Sequence, residues 1–350
     1  MYIMTSFNHP GGNYLLSNDY VVFKSIHNSP RYEKIINSYG YKFEKKGLYT
    51  FDSSLAQDLL KLDFRGSHIA PSLWWYRFTI LNILLFYFEH SFILCPTLMN
   101  SLCLGTIYAL LGLCIGHDGS HGAVGSKYIN EFCSYYMDFI GNTNYSWHSQ
   151  HILQHHPYTN ESCLDPDVTS AEPILFFDKT RGAFKSSHAF VIFLLGPAIV
   201  YDFTKITQGT FGSNLRQRFI SFVLRAYLLV KIFYFGYFLY GQIVVLTAGA
   251  ILGFLFQVSH NTVHTKRNLI SSSNDWYKNQ IETSSTYGGQ LAGFITGGLN
   301  YQIEHHIFPH MNSCYYPQIS SPLSLICKKH DVVYIYYSNY VSNFISYLQQ

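Results

Sequence analysis

Charge is what this chain has least of. Asp, Glu, Lys and Arg make up 12% of its 350 residues while Phe, Tyr and Trp make up 18%, against about 25% charged residues in soluble domains. A chain dissolved mostly in water is excluded by that balance. The net charge is only +3 and the basic residues are scattered, so there is no phosphate-tracking stripe and nucleic acid is excluded as a partner. No CxxC pair occurs among the seven cysteines (Cys95, Cys103, Cys114, Cys133, Cys163, Cys314 and Cys327), and several lie in apolar runs. That argues against a disulfide framework or a zinc knuckle and leaves free thiols acting as small hydrophobes. Neither Lys nor Arg precedes Lys24, and no early apolar run is present. A cleaved secretory signal is therefore not expected, and membrane targeting falls to internal segments. There is no internal repeat and no low-complexity tract.

Long apolar runs are abundant. Residues 73–95 and 97–116, separated by Pro96, are each long enough to cross a hydrocarbon core, which takes about 20 residues. The first is the weaker span, because it carries Arg77, Glu89 and His90. The block 219–259 is about twice one span and is expected to reverse at Tyr240, Gly241 and Gln242. Residues 188–204 are short and contain Pro197 and Asp202, which leaves them between a span and a helix lying on the surface. If all the histidines serve one site, an even number of crossings separates His121 from His260. Residues 188–204 then do not cross, and about four transmembrane helices carry a helical cap on one face. The fold class expected is an all-α integral membrane protein.

The histidines stand in four clusters: His117 and His121 in GHDGSHG; His148, His151, His155 and His156 in WHSQHILQHH; His260 and His264 in SHNTVH; His305, His306 and His310 in EHHIFPH. In a helix, residues four apart lie one above the other, so HxxxH offers two imidazoles to one metal. Adjacent pairs such as 155/156 and 305/306 point in different directions and suit two neighbouring ions. One such pair is explained by incidental histidines on a surface helix; four clusters beside one face of a membrane bundle are not. So many imidazoles without a cysteine suit iron, copper or zinc, and open positions on iron allow dioxygen chemistry. Asp118, Asp165, Asp167 and Glu304 could each accept a ring N–H and fix a tautomer, although turn formation accounts equally for Asp165-Pro166-Asp167.

HDGSH, then HILQHHPYTN followed by DPD, then FQVSHN, NDWYKNQIETSS and GGLNYQIEHHIFP resemble, in that order, the membrane-bound fatty acid desaturases, and more narrowly the front-end, acyl-lipid branch, whose last box begins with Gln. The resemblance covers roughly residues 70–330 and is specific as a combination. It implies metal ligands at His117, His121, His151, His155, His156, His305 and His306, with Gln302 opening the last box and His260 at the position of a further ligand. Gln302, His264, Asp118, Asp165 and Asp167 are candidates for the metal or for the layer behind it; His148, His264 and His310 match no box position. What the resemblance implies is a site of two iron ions that uses dioxygen to remove two hydrogens from an unactivated acyl chain and leave a cis double bond, a task beyond side-chain acid or base catalysis. A sphingolipid desaturase or an acyl hydroxylase is the alternative on the same scaffold. A histidine-lined metal carrier is the alternative outside enzymes, and it would place polar residues within the spans.

At the N-terminus, HPGG followed by FxxxH within residues 7–36 resembles the haem-binding core of cytochrome b5, which would make His9 and His27 axial ligands. Nearly all of the sheet that normally precedes HPGG is missing, and the stretch between the two histidines is short. The alternative is a relic or docking segment without haem, with electrons arriving from a separate cytochrome b5 and its NADH-dependent reductase. The expected organisation is a partial cytochrome b5-like segment at 1–45, a linker or amphipathic segment at 46–72, the desaturase domain at 73–330 and a tail at 331–350. The expected substrate is a fatty acyl lipid or acyl-CoA, and the expected place the endoplasmic reticulum with the site cytosolic. Two sequons, at Asn144 and Asn160, lie in or beside the second box and are expected to stay unglycosylated.

Overall fold

The computed structural model describes residues 20–26, 49–162, 164–169, 200–201, 215–267 and 273–349. His9, His27 and all of 188–204 except Val200 and Tyr201 lie outside these residues, and with them the haem reading and the reading of that short apolar run.

The described chain is built from helices. α1 (Ser72–Leu94) starts after Pro71, and α2 (Leu98–Ser120) starts after Thr97, whose side chain accepts from the Asn100 backbone N–H. After α2 come α3 (Lys127–Phe139) and α4 (Asn144–Trp147), the latter running on as a π-helix over His148–His155. α5 (Leu215–Val230) continues as a π-helix over Lys231–Phe235 and is followed by α6 (Leu239–Gln257). Further helices are α7 (Trp276–Glu282), α8 (Gln290–Thr296), α9 (Gln302–Ile307), α10 (Tyr316–Lys329) and α11 (Tyr340–Leu348), beside short ones at Tyr20–Ile26, Ser54–Leu59 and Pro166–Thr169. Among the described residues, strands are confined to one parallel pair, β1 (Thr286–Tyr287) and β2 (Tyr336–Tyr337), with Thr286 opposite Tyr336.

Among the described residues, α1, α2 and α6 are long and apolar enough to cross a membrane. The apolar block was expected to turn at 240–242; those residues instead lie inside α6, and the reversal falls at Gly236 to Phe238, where Tyr237 and Phe238 take φ of +46° and +59°. The reason is packing. Gly241 lies so close to the preceding helix that a Cβ there would meet the Ile232 carbonyl oxygen at 2.4 Å, so that glycine serves contact between helices and not a bend.

α5 is 16 residues long and carries Arg216, Arg218 and Arg225. In its π-helical extension Lys231 is buried against α1, its ammonium 2.5 Å from the Glu89 carboxylate and 4.5 Å from the centre of the Tyr108 ring. Mutual neutralisation of this kind is what lets α1 carry a buried carboxylate; removing one partner alone from such a pair costs about 3–5 kcal/mol.

Above the bundle lies a cap with its own core. Tyr49, Phe51, Leu55 and Leu59 pack with Trp276, Ile303, Ile307 and Leu323. The chain after residue 330 returns to the same cap through β2, and through α11, where Asn343 accepts from the Ser285 hydroxyl at 3.1 Å. Cap and spans meet at Gly297, between α8 and α9, which has φ +68° and would place a Cβ 2.5 Å from the Leu113 carbonyl oxygen in α2. Gly297→Ala is therefore expected to cost at least ~2 kcal/mol through strain and overpacking, read as a fall in the thermal unfolding midpoint of the detergent-solubilised protein. An unchanged midpoint would contradict this close approach.

Asp138 of α3 is fully buried, accepting from the Ser221 hydroxyl and, at 3.1 Å, from the Asn144 backbone N–H. Burial pushes its pKa up to about 7. A carboxyl raised in the folded state binds more protons than the unfolded chain between its two pKa values, so stability falls as pH rises through that window and levels off above it. Between pH 5 and 8 the loss is expected to be about 3 kcal/mol. Asp138→Asn keeps both contacts, since its amide can donate to Ser221, and should flatten the slope of unfolding midpoint against pH; an unaltered slope would assign the effect elsewhere.

Candidate metal centre

The local helix geometry decides which histidines meet. α2 widens into a π-helix at Gly112–Gly116 immediately before His117, and α4 does so over His148–His155; such π segments recur at functional sites. In the second of these the backbone hydrogen bond joins residues five apart, not four. The His156 backbone N–H donates to the His151 carbonyl at 3.0 Å, and the two Nε2 atoms lie 3.2 Å apart. His151 and His155, the HxxxH pair, have near-parallel rings 5.3 Å apart and come together with Asp167 in one group that could hold a metal, while each also joins a separate histidine group.

His117, His121, His151 and His305 form one group whose ligand atoms all lie within 4.8 Å of one another, and His155, His260 and His306 form a second. His156 stands between them, its ring 4.7 Å from that of His305 and 4.4 Å from that of His306. Seven of these eight residues are buried and His121 is half-buried. His264 is exposed, His148 stands outside both groups, and His310 pairs with Asp63 at 3.2 Å. The residues 258–267 form turns, so the i, i+4 spacing of His260 and His264 brings nothing together.

A ring of polar partners turns the imidazoles inward. His155 Nδ1 donates to Asp165 at 3.0 Å, His306 Nδ1 to Gln280 Oε1 at 2.9 Å and His260 Nδ1 to the Thr283 carbonyl at 3.2 Å, while His305 Nδ1 lies 3.0 Å from the Tyr316 hydroxyl. Each of these contacts leaves Nε2 facing the interior. Asp167 adds a carboxylate 3.5 Å from His155. Burial pulls the His155 pKa down, but the Asp165 and Asp167 charges outweigh it and raise it to about 9. Burial, aided by the neighbouring imidazoles, holds His121, His151, His156, His305 and His306 well below the usual histidine range, and burial takes His260 down to about 3.

The other acidic candidates are placed differently. Asp118 accepts from Trp74 Nε1 and from the Ser313 hydroxyl, both at 2.8 Å, and lies 3.9 Å from His117 Nδ1. It ties α1 to the cap. Glu304 accepts from Thr286 at 2.7 Å and from the Tyr334 hydroxyl at 2.5 Å, so it braces α9 from behind. Gln302 is buried, and its Oε1 has no hydrogen-bond partner among the described residues.

Gln280, Thr283 and Tyr316 were not singled out from the sequence. For the first two the signal was the polar run NQIETSS in an otherwise apolar chain. Asn160 was read only as a sequon. It is buried at φ +60°, and its amide donates to the carbonyls of His260, Lys266 and Thr283 at 2.8 to 3.2 Å. Asn144 is buried as well, so neither sequon has room for a glycan.

The donor set fits a metal on its own geometry. His306 and His260 each give their Nδ1 proton to an oxygen, so their Nε2 atoms carry lone pairs, yet these atoms face each other at 3.2 Å. Two facing lone pairs repel unless a cation sits between them, and a metal about 2.0–2.1 Å from each imidazole nitrogen leaves its ligand atoms roughly 3 Å apart. His121 Nε2 and His305 Nε2 are buried with no hydrogen-bond partner among the described residues. Imidazole donors without thiolate are consistent with iron.

Helices long and apolar enough to cross a membrane, with two abutting polyhistidine groups that could hold a metal, are the features that the comparisons with known proteins must account for. Residues 92–338 match the family model for fatty acid desaturases, and the chain belongs to that family. It is 31% identical over 284 residues to an acyl-lipid (7-3)-desaturase, chloroplastic, of Chlamydomonas reinhardtii, covering 71% of this chain and 55% of that protein. To an acyl-lipid (7-3)-desaturase of Diacronema lutheri it is 31% identical, covering 80% of this chain and 69% of the relative. To a probable Delta(5) fatty acid desaturase C of Dictyostelium discoideum it is 27% identical, covering 69% and 60%. The match thus spans little more than half of the first of these relatives.

Proposed function

We propose that the protein is a front-end acyl-lipid desaturase that holds two iron ions. The facing Nε2 atoms of His260 and His306 carry the proposal, supported by the activities for which the relatives are named. His117, His121, His151 and His305 would hold one ion and His155, His260 and His306 the other, with His156 between. When bound, the irons supply dioxygen activation, which an unactivated methylene requires. In the overall reaction two adjacent methylenes lose two hydrogens, dioxygen takes these together with two electrons and two protons from a donor, and two waters leave.

The chain's own side chains do the rest. Gln280, the Thr283 carbonyl and Asp165 keep the Nδ1 protons on the outside, fixing the imidazoles as ligands before metal arrives. Trp147, stacked on His151 at 4.4 Å, and Phe256, 6.0 Å from His117, close the membrane side of the cluster with apolar surface that excludes water. Gln302 offers a buried amide oxygen that can orient a water or an imidazole.

For α6 to deliver His260 to the face that carries His117, α5 and its extension must also cross, and the Lys231–Glu89 pair makes that crossing tolerable. The reading places the cap on the cytosolic face of the endoplasmic reticulum, with cytochrome b5 and its NADH-dependent reductase as the electron source. Expression in a host of defined fatty acid content tests the activity. Desaturation predicts an acyl product lighter by two mass units; a product heavier by sixteen would make the protein a hydroxylase.

A further inference from the structure

α11 lies beyond the residues that the family model matches, and its two faces are arranged against the usual rule for a helix in water. Its start is fixed by a capping box: the Asn339 side chain accepts from the Ser342 backbone N–H at 3.0 Å, and the Ser342 hydroxyl accepts from the Asn339 backbone N–H. The face toward the cap is polar and buried. Asn343 accepts from the Ser285 hydroxyl at 3.1 Å, and Ser346 bonds to the Tyr337 hydroxyl at 2.7 Å and to the Val263 backbone N–H at 3.2 Å. The opposite face carries Val341, Ile345 and Leu348, which are 61%, 48% and 46% exposed. Residues spaced i, i+4, i+7 form one stripe along a helix, so the apolar side chains point outward and the polar ones inward.

The place of α11 in the molecule says what covers the stripe. Phe344 lies 5.4 Å from Phe254, and the Tyr347 hydroxyl 3.4 Å from Oε1 of Gln257, the last residue of α6. The helix therefore lies beside the point where an apolar span ends. Phe256 of α6 and Trp74 of α1 both adjoin the end of α2, at His117 and Asp118, so the spans end at one level. α8 lies at that level too: Arg77 of α1 donates to the Phe294 carbonyl at 3.4 Å, and Leu291 and Ile295 are exposed. No charged residue occurs between Asp331 and the end of α11, which offers neither an ion pair to a protein partner nor a cation to an acidic lipid. Three side chains also fall far short of the about 800 Å² that each partner of a stable dimer buries. Resting on the reading of α6 as a membrane crossing, we propose that α11 lies in the plane of the bilayer surface, its stripe sunk about 5–10 Å into the boundary between headgroups and acyl chains. Tyr336 and Tyr340 beside it suit that boundary, where rings with a polar tip gather. The helix fastens the cap to the membrane on the side of the second histidine group. Ser285, which bonds Asn343, also donates to the Ser259 carbonyl at 3.0 Å, one residue before His260.

A fluorinated phenylalanine put in place of Ile345 by codon suppression, in the full chain reconstituted in phosphatidylcholine nanodiscs, tests this by fluorine NMR without iron or turnover. A spin-labelled lipid should broaden its signal at least fivefold more than a water-soluble gadolinium chelate does. The reverse order would overturn the proposal. So would protection from both agents, which would mean that another segment or a second copy covers the stripe. The same probe in place of Leu246, an exposed residue near the middle of α6, separates the two readings. Lipid contact there with water contact at position 345 would strike out the placement of α11 alone, whereas water contact at both would strike out the crossing.

Discussion

His306→Ala is expected to abolish desaturation, lowering turnover at least a thousandfold, and to reduce bound iron from two per chain to about one. His306 supplies one of three imidazoles in the second group, and its Nδ1 is already committed to Gln280. Two remaining ligands, His155 and His260, do not complete a site, whereas the four-histidine group loses nothing directly. The expected signature is selective: activity vanishes while metal is half retained. Iron analysis beside product analysis on the same preparation reads both. Retention of two irons would remove His306 from the ligand set, and loss of both would show that the groups are not separable. Because the residue is wholly buried, His306→Gln, which keeps most of the volume, should give the same metal content and separates ligand loss from a cavity.

Asp165→Asn should have the second largest effect. The carboxylate accepts from His155 Nδ1 with both oxygens and also from the backbone N–H groups of Asn160 and Asp167, at 2.8 and 2.9 Å. An asparagine can match neither the charge nor the geometry, because its amide nitrogen must face donors. A weakening of metal affinity of about 10- to 100-fold is expected from the loss of such a partner, with a stability loss of ~1–3 kcal/mol for the donor left unpaired. His155 would also lose the larger of the two charges that raise its pKa, so the variant's histidine should titrate at a lower pH. Competition with a chelator checks the affinity, and wild-type retention of iron would show that Asp165 serves only the turn. Gln280→Ala is expected to weaken the second group in the same direction.

Histidine order and hydropathy made the site legible before any coordinates. The runs at 73–95 and 97–116 are α1 and α2, apart from a few residues at the ends of each, and the seven box histidines lie together with His260. Helical periodicity misled where the helix is not α. Over His148–His155 the π spacing adds His156 as a neighbour of His151, their Nε2 atoms 3.2 Å apart, which a period of 3.6 does not anticipate. It misled again at His264, because the turn after Val258 follows from Asn160 gathering three carbonyls from distant segments. Gly241 was legible as a glycine but not as a packing glycine, since only the neighbouring helix reveals what a Cβ would strike. Asp118 and Glu304 show the same limit. Their acidity was visible, but their orientation depends on Trp74, Ser313, Tyr334 and Thr286, each remote in sequence from the carboxylate it holds.

Iron content measured on the purified full chain tests the central claim most directly. Two irons per chain, lost in step with activity when a chelator is added, is the predicted result. A well-folded protein that takes up no iron when loaded under reducing conditions would contradict it.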